Sequence, residues 1–130
     1  MEDSAVVWHS GLTKQNRNDL ERVQKTAVKV ILGIKYNNYE EGLKYLKLDS
    51  LEDRRKKLSL NFAKKSVRNE KVKSFFPLNK NKFKNTRNSE KYKVNQFKTN
   101  RYKNSSIVYM QNLLNQDEIQ REKTVRFTGV

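Results

Sequence analysis

Cysteine is absent from this 130-residue chain, which also contains a single histidine and a single proline. A chain without cysteine forms no disulfide, offers no thiolate to zinc and has no cysteine nucleophile, and it fits an intracellular location, nuclear or cytoplasmic. The histidine, His9, follows Trp8 without the serine and aspartate pattern that would make it a catalytic base. A packed or partly exposed residue at the end of a helix is the favoured interpretation of His9, with a general base or a nucleic-acid contact as the alternative.

Long hydrophobic runs are also missing. The most apolar stretch, residues 27–32, is interrupted by Lys29 and is far shorter than the roughly 20 residues that cross a bilayer. Glu2 and Asp3 stand where a signal peptide would carry basic residues. Hydrophobic residues make up 35% of the chain and charged residues 33%, so we expect a small core, solvated segments and no membrane partner.

Motifs of common enzyme classes do not occur in the sequence. It has no glycine-rich phosphate loop, no HExxH zinc motif and no Ser–His–Asp order. Adjacent acidic residues such as Glu40 and Glu41 would point about 100° apart on a helix and converge poorly on one ion. Asp53, three residues after Ser50, is better explained as part of a helix cap. We therefore expect no catalytic residue, no metal site and no cofactor.

The apolar pattern has helical periodicity over most of the first half. A helix from Thr13 to Leu32 is predicted, capped by Thr13 and ended by Gly33, with a glutamate–lysine pair between Glu21 and Lys25. Its inward face is predicted from apolar residues three and four positions apart, namely Leu20, Val23, Ala27 and Ile31, widened by Val30 and Ile34.

Two further helices are predicted before the proline. The first covers Tyr39 to Leu46 and is capped by Asn38; the second opens at Ser50 and runs to about Val67. The inner face of the second should carry Leu51, Leu58, Phe62 and Val67. The resulting fold class is all-α, a small bundle of three to five helices with an extended or disordered basic middle segment. The predicted segments are a helical domain over 1–78, a basic Lys/Asn-rich linker over 79–104, a C-terminal helix over 105–116 and a polar tail over 117–130.

Positive charge is in large excess. The chain has 29 Lys and Arg against 14 Asp and Glu, a formal charge of +15, which points to a polyanionic partner, above all nucleic acid. In the linker, cations alternate with Phe83, Tyr92, Phe97 and Tyr102, a pattern that suits phosphate binding with base stacking; a solvated spacer is the alternative. The predicted linker contacts are Lys80, Lys82, Lys84, Arg87, Lys91, Lys93, Lys98, Arg101 and Lys103.

A second basic cluster begins at Arg54 and Arg55. It continues through Lys56, Lys57, Lys64, Lys65 and Arg68. The solvent face of an amphipathic helix explains this cluster as well as nucleic-acid binding does.

Residues 7–33, VWHSGLTKQNRNDLERVQKTAVKVILG, closely resemble a segment that follows the polymerase core in reverse transcriptases of jockey-like non-LTR retrotransposons. The shared pattern is an apolar–Trp entry at Val7 and Trp8, a Ser-Gly-Leu-Thr turn at 10–13 and Leu-Glu-Arg-Val-Gln-Lys at 20–25. The resemblance continues through 39–43 and 51–55 and resumes at 101–105 and 113–115, so it covers about residues 5–115.

The resemblance implies a thumb and its trailing extension, a helical element that holds the template–primer duplex. It implies a non-catalytic C-terminal fragment, because the polymerase aspartates of the family precede this region. Nucleic acid, RNA–DNA hybrid or duplex without sequence preference, is then the partner, and the polymerase core of an intact element is a further one. The phosphate backbone would meet cations on the first helix, namely Arg17, Arg22, Lys25 and Lys29. Arg54 and Arg55 of the second basic cluster are the other predicted nucleic-acid contacts. A helical protein-interaction module and a non-functional relic of a mobile element stay open as alternatives.

Overall fold

The structure is a computed structural model, and it describes residues 4–80 and 90–127. Within those ranges the protein is a small all-α bundle, as predicted, and its only β-type pairing is an isolated bridge between Leu78 and Tyr92. Six α-helices are described, two of them a single turn long, and none of them is long and apolar enough to cross a bilayer. They are α1 (Ala5–Trp8), α2 (Lys14–Leu32), α3 (Tyr39–Leu46), α4 (Leu51–Arg68), α5 (Asn100–Lys103) and α6 (Ser106–Phe127). Short 3-10 helices cover His9–Gly11, Gly33–Lys35 and Lys73–Phe75.

Side-chain caps define the starts of the first long helices, as predicted. The Thr13 hydroxyl oxygen accepts a hydrogen bond from the Asn16 N–H at 3.2 Å, and Asn38 Oδ1 accepts one from the Glu41 N–H at 2.8 Å. α2 ends at Leu32, and the φ of 50° and ψ of −117° of its C-cap, Gly33, suit a residue without Cβ.

The start of α4 confirms the capping interpretation of Ser50 and Asp53. The Asp53 N–H donates to Ser50 Oγ at 3.1 Å, and the Ser50 hydroxyl donates to Asp53 Oδ2 at 2.8 Å. Glu52 and Asp53 also place negative charge in the first turn, at the positive end of the helix dipole.

The chain forms two compact units, Met1–Leu58 and Ser59–Val130. Their boundary lies inside α4, which differs from the predicted domain over 1–78. α4 is one continuous helix, but its second half belongs to the unit that also contains α6. Each unit has its own buried residues.

In the first unit, α2 and α3 pack closely at Gly42. A Cβ added to Gly42 would lie 2.6 Å from Val28 Cγ1, so only glycine allows this approach. Val28 is consequently 1% exposed. The predicted inward face of α2 is wrong: Leu20 is half-buried, while Val23 and Ile31 are 69% and 65% exposed.

The inward face of α4 also differs from the prediction. Its buried residues are small or polar and recur at three- and four-residue spacing: Arg55, Ser59, Ala63 and Ser66. Phe62, predicted to be inward, is 51% exposed, and Leu51, Leu58 and Val67 are half-buried. Small side chains allow a helix to lie close to its neighbours, so they take the inward face in place of the larger ones.

In the second unit, α6 carries most of the core. Met110, Leu113 and Leu114, which fall within the predicted C-terminal helix, are buried together with Val108. α6 continues to Phe127, so residues 117–127 are helical where a polar tail was predicted. Ion pairs of Asp117 stabilise this C-terminal part of α6, because Asp117 Oδ2 lies 3.0 Å from Lys64 Nζ and 3.1 Å from Arg121 Nε.

Buried amides on α6 order part of the predicted linker. Asn115 Oδ1 accepts the Tyr92 N–H at 2.9 Å, and Asn115 Nδ2 donates to the Tyr92 carbonyl at 3.0 Å. Gln111 Oε1 accepts the Asn95 N–H at 3.0 Å, and its Nε2 donates to the Phe75 carbonyl at 2.8 Å. The linker residues 90–95 are therefore extended but fixed against α6.

Candidate nucleic-acid interface

α2 presents three distinct faces, because successive helical residues are rotated by about 100°. Val28 and Glu21 lie on the packed face. A second face, within an arc of about 80°, carries four exposed cations: Lys14, Arg22, Lys25 and Lys29. A third face carries the exposed apolar residues Val23, Ala27, Val30 and Ile31. Lys25 and Val23 are about 160° apart around the axis, so the basic and apolar faces lie on opposite sides of the helix.

The packed face positions the helix through Glu21. Glu21 Oε2 accepts the Tyr39 hydroxyl at 2.7 Å, and Oε1 accepts the Glu52 N–H at 2.8 Å. Burial, together with this hydrogen bond, raises the pKa of Tyr39. Glu21 thus joins α2 to α3 and to the start of α4. The predicted Glu21–Lys25 ion pair does not form; the carboxylate of Glu21 instead accepts hydrogen bonds from Tyr39 and Glu52.

The basic face of α2 is free to bind an anion. None of Lys14, Arg22, Lys25 and Lys29 makes an ion pair with another residue in the described part of the chain. Arg22, Lys25 and Lys29 recur at three- and four-residue spacing and span about 10 Å along the axis. That length corresponds to about three nucleotides of one DNA strand.

Two of the predicted contacts serve the fold. Arg17 is half-buried, and its Nη1 lies 3.7 Å from Glu52 Oε1. Arg55 is 5% exposed; its Nε–H donates to the Leu51 carbonyl at 2.9 Å, and its guanidinium lies 5.7 Å from the centre of the Trp8 ring. Arg54, by contrast, is exposed.

His9 lies in the same unit and is 2% exposed. Burial lowers its pKa, and the charges of Arg55 and Arg17 lower it further, while Glu52 acts in the opposite direction. A buried, neutral imidazole agrees with the packing interpretation of this residue.

The predicted linker cations differ in their exposure and in their contacts. Lys80, Lys93, Lys98 and Arg101 are exposed and make no ion pair within residues 4–80 and 90–127. Lys91 Nζ lies 3.1 Å from Glu118 Oε1, and Lys103 Nζ lies 5.7 Å from the Phe97 ring. Lys82, Lys84 and Arg87, with Phe83, lie outside the described residues.

The aromatic residues predicted to stack on bases differ in their exposure. Tyr92 is 7% exposed and belongs to the core, so it offers no ring face to a base. Phe97 and Tyr102 are 43% and 42% exposed, which keeps part of each ring accessible.

Sequence reasoning missed a groove in the second unit. It has a volume of about 370 Å³ and is lined by Phe62, Lys65, Ser66, Asn69, Val72, Phe75, Phe76, Ile107 and Met110. Phe62 and Ser66 are four positions apart on α4 and share one helix face, but the sequence pattern predicts Phe62 in the core.

The described residues form charged surfaces and apolar surfaces. In the described ranges, no three His, Asp or Glu side chains come together as a metal-binding group. The resemblance to retrotransposon reverse transcriptases stays a prediction. Comparison of the chain with protein-family models, curated proteins and solved structures found no match.

Proposed function

We propose that this chain is a non-catalytic, thumb-like piece of a retrotransposon reverse transcriptase that binds duplex or RNA–DNA hybrid without sequence preference inside the cell. The observation that carries the proposal is the row of Arg22, Lys25 and Lys29, exposed and unpaired among the described residues on one face of α2. The row lies within residues 7–33, where the sequence resembles that family.

The row can neutralise phosphates of a single strand. Each lysine or arginine that contacts a phosphate releases condensed counterions, so affinity depends on charge and not on base sequence. Glu21 holds α2 to its neighbours through Tyr39 and Glu52, so the cations project from a fixed helix. A fixed row loses less side-chain and backbone freedom on binding than a mobile segment does.

The test is fluorescence anisotropy with duplex, RNA–DNA hybrid and single-stranded oligonucleotides over a salt series. The variant Arg22→Gln/Lys25→Gln/Lys29→Gln should reduce the steepness of log K against log salt on duplex by about 2.7 units, since three phosphate contacts disappear. The control Lys44→Gln/Lys47→Asn/Lys123→Gln removes the same charge elsewhere; Asn suits position 47, whose φ is 54°. The control should keep the wild-type slope.

Two results would count against the proposal. One is a wild-type protein that binds no oligonucleotide near 100 mM salt. The other is a triple variant whose slope equals that of the control. Polymerase activity of the purified chain would overturn its non-catalytic assignment.

The apolar face of α2 favours a second candidate, a helical protein-interaction module. Val23, Val30 and Ile31 are 69%, 76% and 65% exposed, and contiguous exposed apolar residues mark interaction sites. The partner would be the polymerase core of an intact element. Val30→Ser/Ile31→Ser should then abolish a salt-insensitive complex with that core and leave nucleic-acid binding unchanged; an unchanged complex would remove this candidate.

A further inference from the structure

The groove of the second unit combines a buried floor with exposed rings. Phe76 and Met110 are 5% exposed each, whereas Phe62 and Phe75 are 51% and 50% exposed. The two half-exposed phenyl rings come from different elements, α4 and the 3-10 helix Lys73–Phe75. Both rings line the same concave space of about 370 Å³.

This groove is formed by a positively charged part of the chain. Lys65 lines it, and Arg68, Lys71 and Lys73 follow along the chain, all exposed. None of these four cations makes an ion pair with a residue that the structure describes. Glu70 is the only acidic residue between positions 62 and 76. The occupant should therefore carry negative charge next to an apolar part.

We propose that the groove binds an unpaired base of a single-stranded nucleic acid. The base stacks against Phe62 and Phe75, and the flanking phosphates contact Lys65, Arg68 and Lys73. A nucleotide combines a flat ring with adjacent negative charges, which matches two exposed phenyl rings beside unpaired cations. Asn69 and Ser66 add an amide and a hydroxyl to the lining, groups that can hydrogen-bond to base edges.

This inference rests on the proposed function, since both require nucleic-acid binding. It differs in that the groove belongs to the second unit and binds a single strand, whereas the α2 face belongs to the first unit and binds duplex or hybrid. Base stacking on an aromatic side chain requires a base that is not already stacked in a duplex. The groove therefore adds a single-strand site to a chain whose α2 face suits duplex. The two sites respond to different substitutions, which makes them separable in one set of binding measurements.

The experiment measures affinity for a single-stranded oligonucleotide and for a duplex by anisotropy, with 2-aminopurine fluorescence to report stacking. Phe62→Ala and Phe75→Ala should each weaken single-strand binding about fivefold or more, with an unchanged salt slope because no cation is removed. Duplex binding should change less than twofold. Phe127→Ala is the matched control, since Phe127 is 91% exposed and lies outside the groove. Phe62→Trp should retain binding, which separates loss of the ring from loss of the fold.

A comparison with the unaltered protein needs no variant. A strand with abasic positions should bind about fivefold or more weakly than the complete strand. Equal affinity for both strands overturns the proposal. Unchanged affinity of both phenylalanine variants for the single strand overturns it as well. If the wild-type protein binds duplex through α2 but does not bind unpaired bases, only the groove proposal fails. If it binds no nucleic acid, both proposals fail.

Discussion

The side-chain amide of Asn115 makes both hydrogen bonds that a neighbouring β-strand would make with Tyr92. Its Oδ1 and Nδ2 lie 2.9 and 3.0 Å from the nitrogen and oxygen of Tyr92. On the other side, the Lys93 N–H donates to the Pro77 carbonyl at 2.8 Å, and the Asn79 N–H donates to the Lys91 carbonyl at 2.9 Å. A residue on α6 thus completes the pairing of an extended segment.

Replacing Asn115 by alanine should destabilise the second unit by about 2–4 kcal/mol, because two buried backbone groups lose their partners. Urea unfolding followed by circular dichroism measures this. Gln116→Ala is the control, since Gln116 is exposed on the same helix and its replacement should change stability by less than about 0.5 kcal/mol. Equal unfolding midpoints for the two variants would contradict the role of the amide.

Gly42→Ala should destabilise the first unit, although alanine favours helix. The added methyl would lie 2.6 Å from Val28 Cγ1 and 3.2 Å from Leu32 Cδ1. Overpacking of about 1–3 kcal/mol then exceeds a propensity gain of roughly 0.5–1 kcal/mol. Gly11→Ala, whose methyl would have no neighbour within 4 Å, should leave the unfolding temperature nearly unchanged. Val28→Ala combined with Gly42→Ala should recover part of the loss; additive losses would exclude this contact as the cause.

Valine substitutions on α2 distinguish the packed face from the exposed one. Val28→Ala, at a position that is 1% exposed, should lower the free energy of unfolding by about 1–3 kcal/mol. Val30→Ala, at a position 76% exposed, should be neutral or slightly stabilising because alanine is the better helix former. Chemical denaturation of both variants makes the comparison. A larger loss at Val30 would mean that the inward face predicted from the sequence is packed.

Acidification below neutral pH should destabilise the first unit through His9. The pKa of His9 in the folded chain lies below its ordinary value of 6.5, mainly because the side chain is buried and also because Arg55 and Arg17 are near. As the pH falls, the unfolded chain therefore takes up a proton near pH 6.5, at a higher pH than the folded chain does. The stability contributed by neutral His9 is complete above pH 6.5, declines as the pH falls below it, and is lost once the folded pKa is passed.

Urea midpoints at pH 7.5, 6.5 and 5.5 measure this decline, which one proton limits to about 1.4 kcal/mol per pH unit. His9 is the only histidine in the chain, so His9→Gln should flatten the profile over this range even if it lowers stability at every pH. Parallel profiles for the wild type and the variant would show that His9 does not cause the decline.

The local features of this fold were predictable because they depend on neighbours in sequence. Thr13, Asn38 and Ser50 each bond to a backbone N–H three residues ahead, and the spacing of Arg22, Lys25 and Lys29 sets their common face on any α-helix. The net charge follows from the composition in the same way, and the all-α class follows from the periodicity of the apolar residues.

Only the tertiary structure decided which face of each helix is buried. The close approach at Gly42 turns Val28 inward and leaves Val23 and Ile31 exposed, a choice that the amphipathic pattern of α2 did not contain. Gln111 and Asn115 fix residues 16 to 36 positions away, and such contacts carry no periodic signal. Burial, which depends on residues distant in sequence, thus determines which of the predicted cations and rings can reach a nucleic acid.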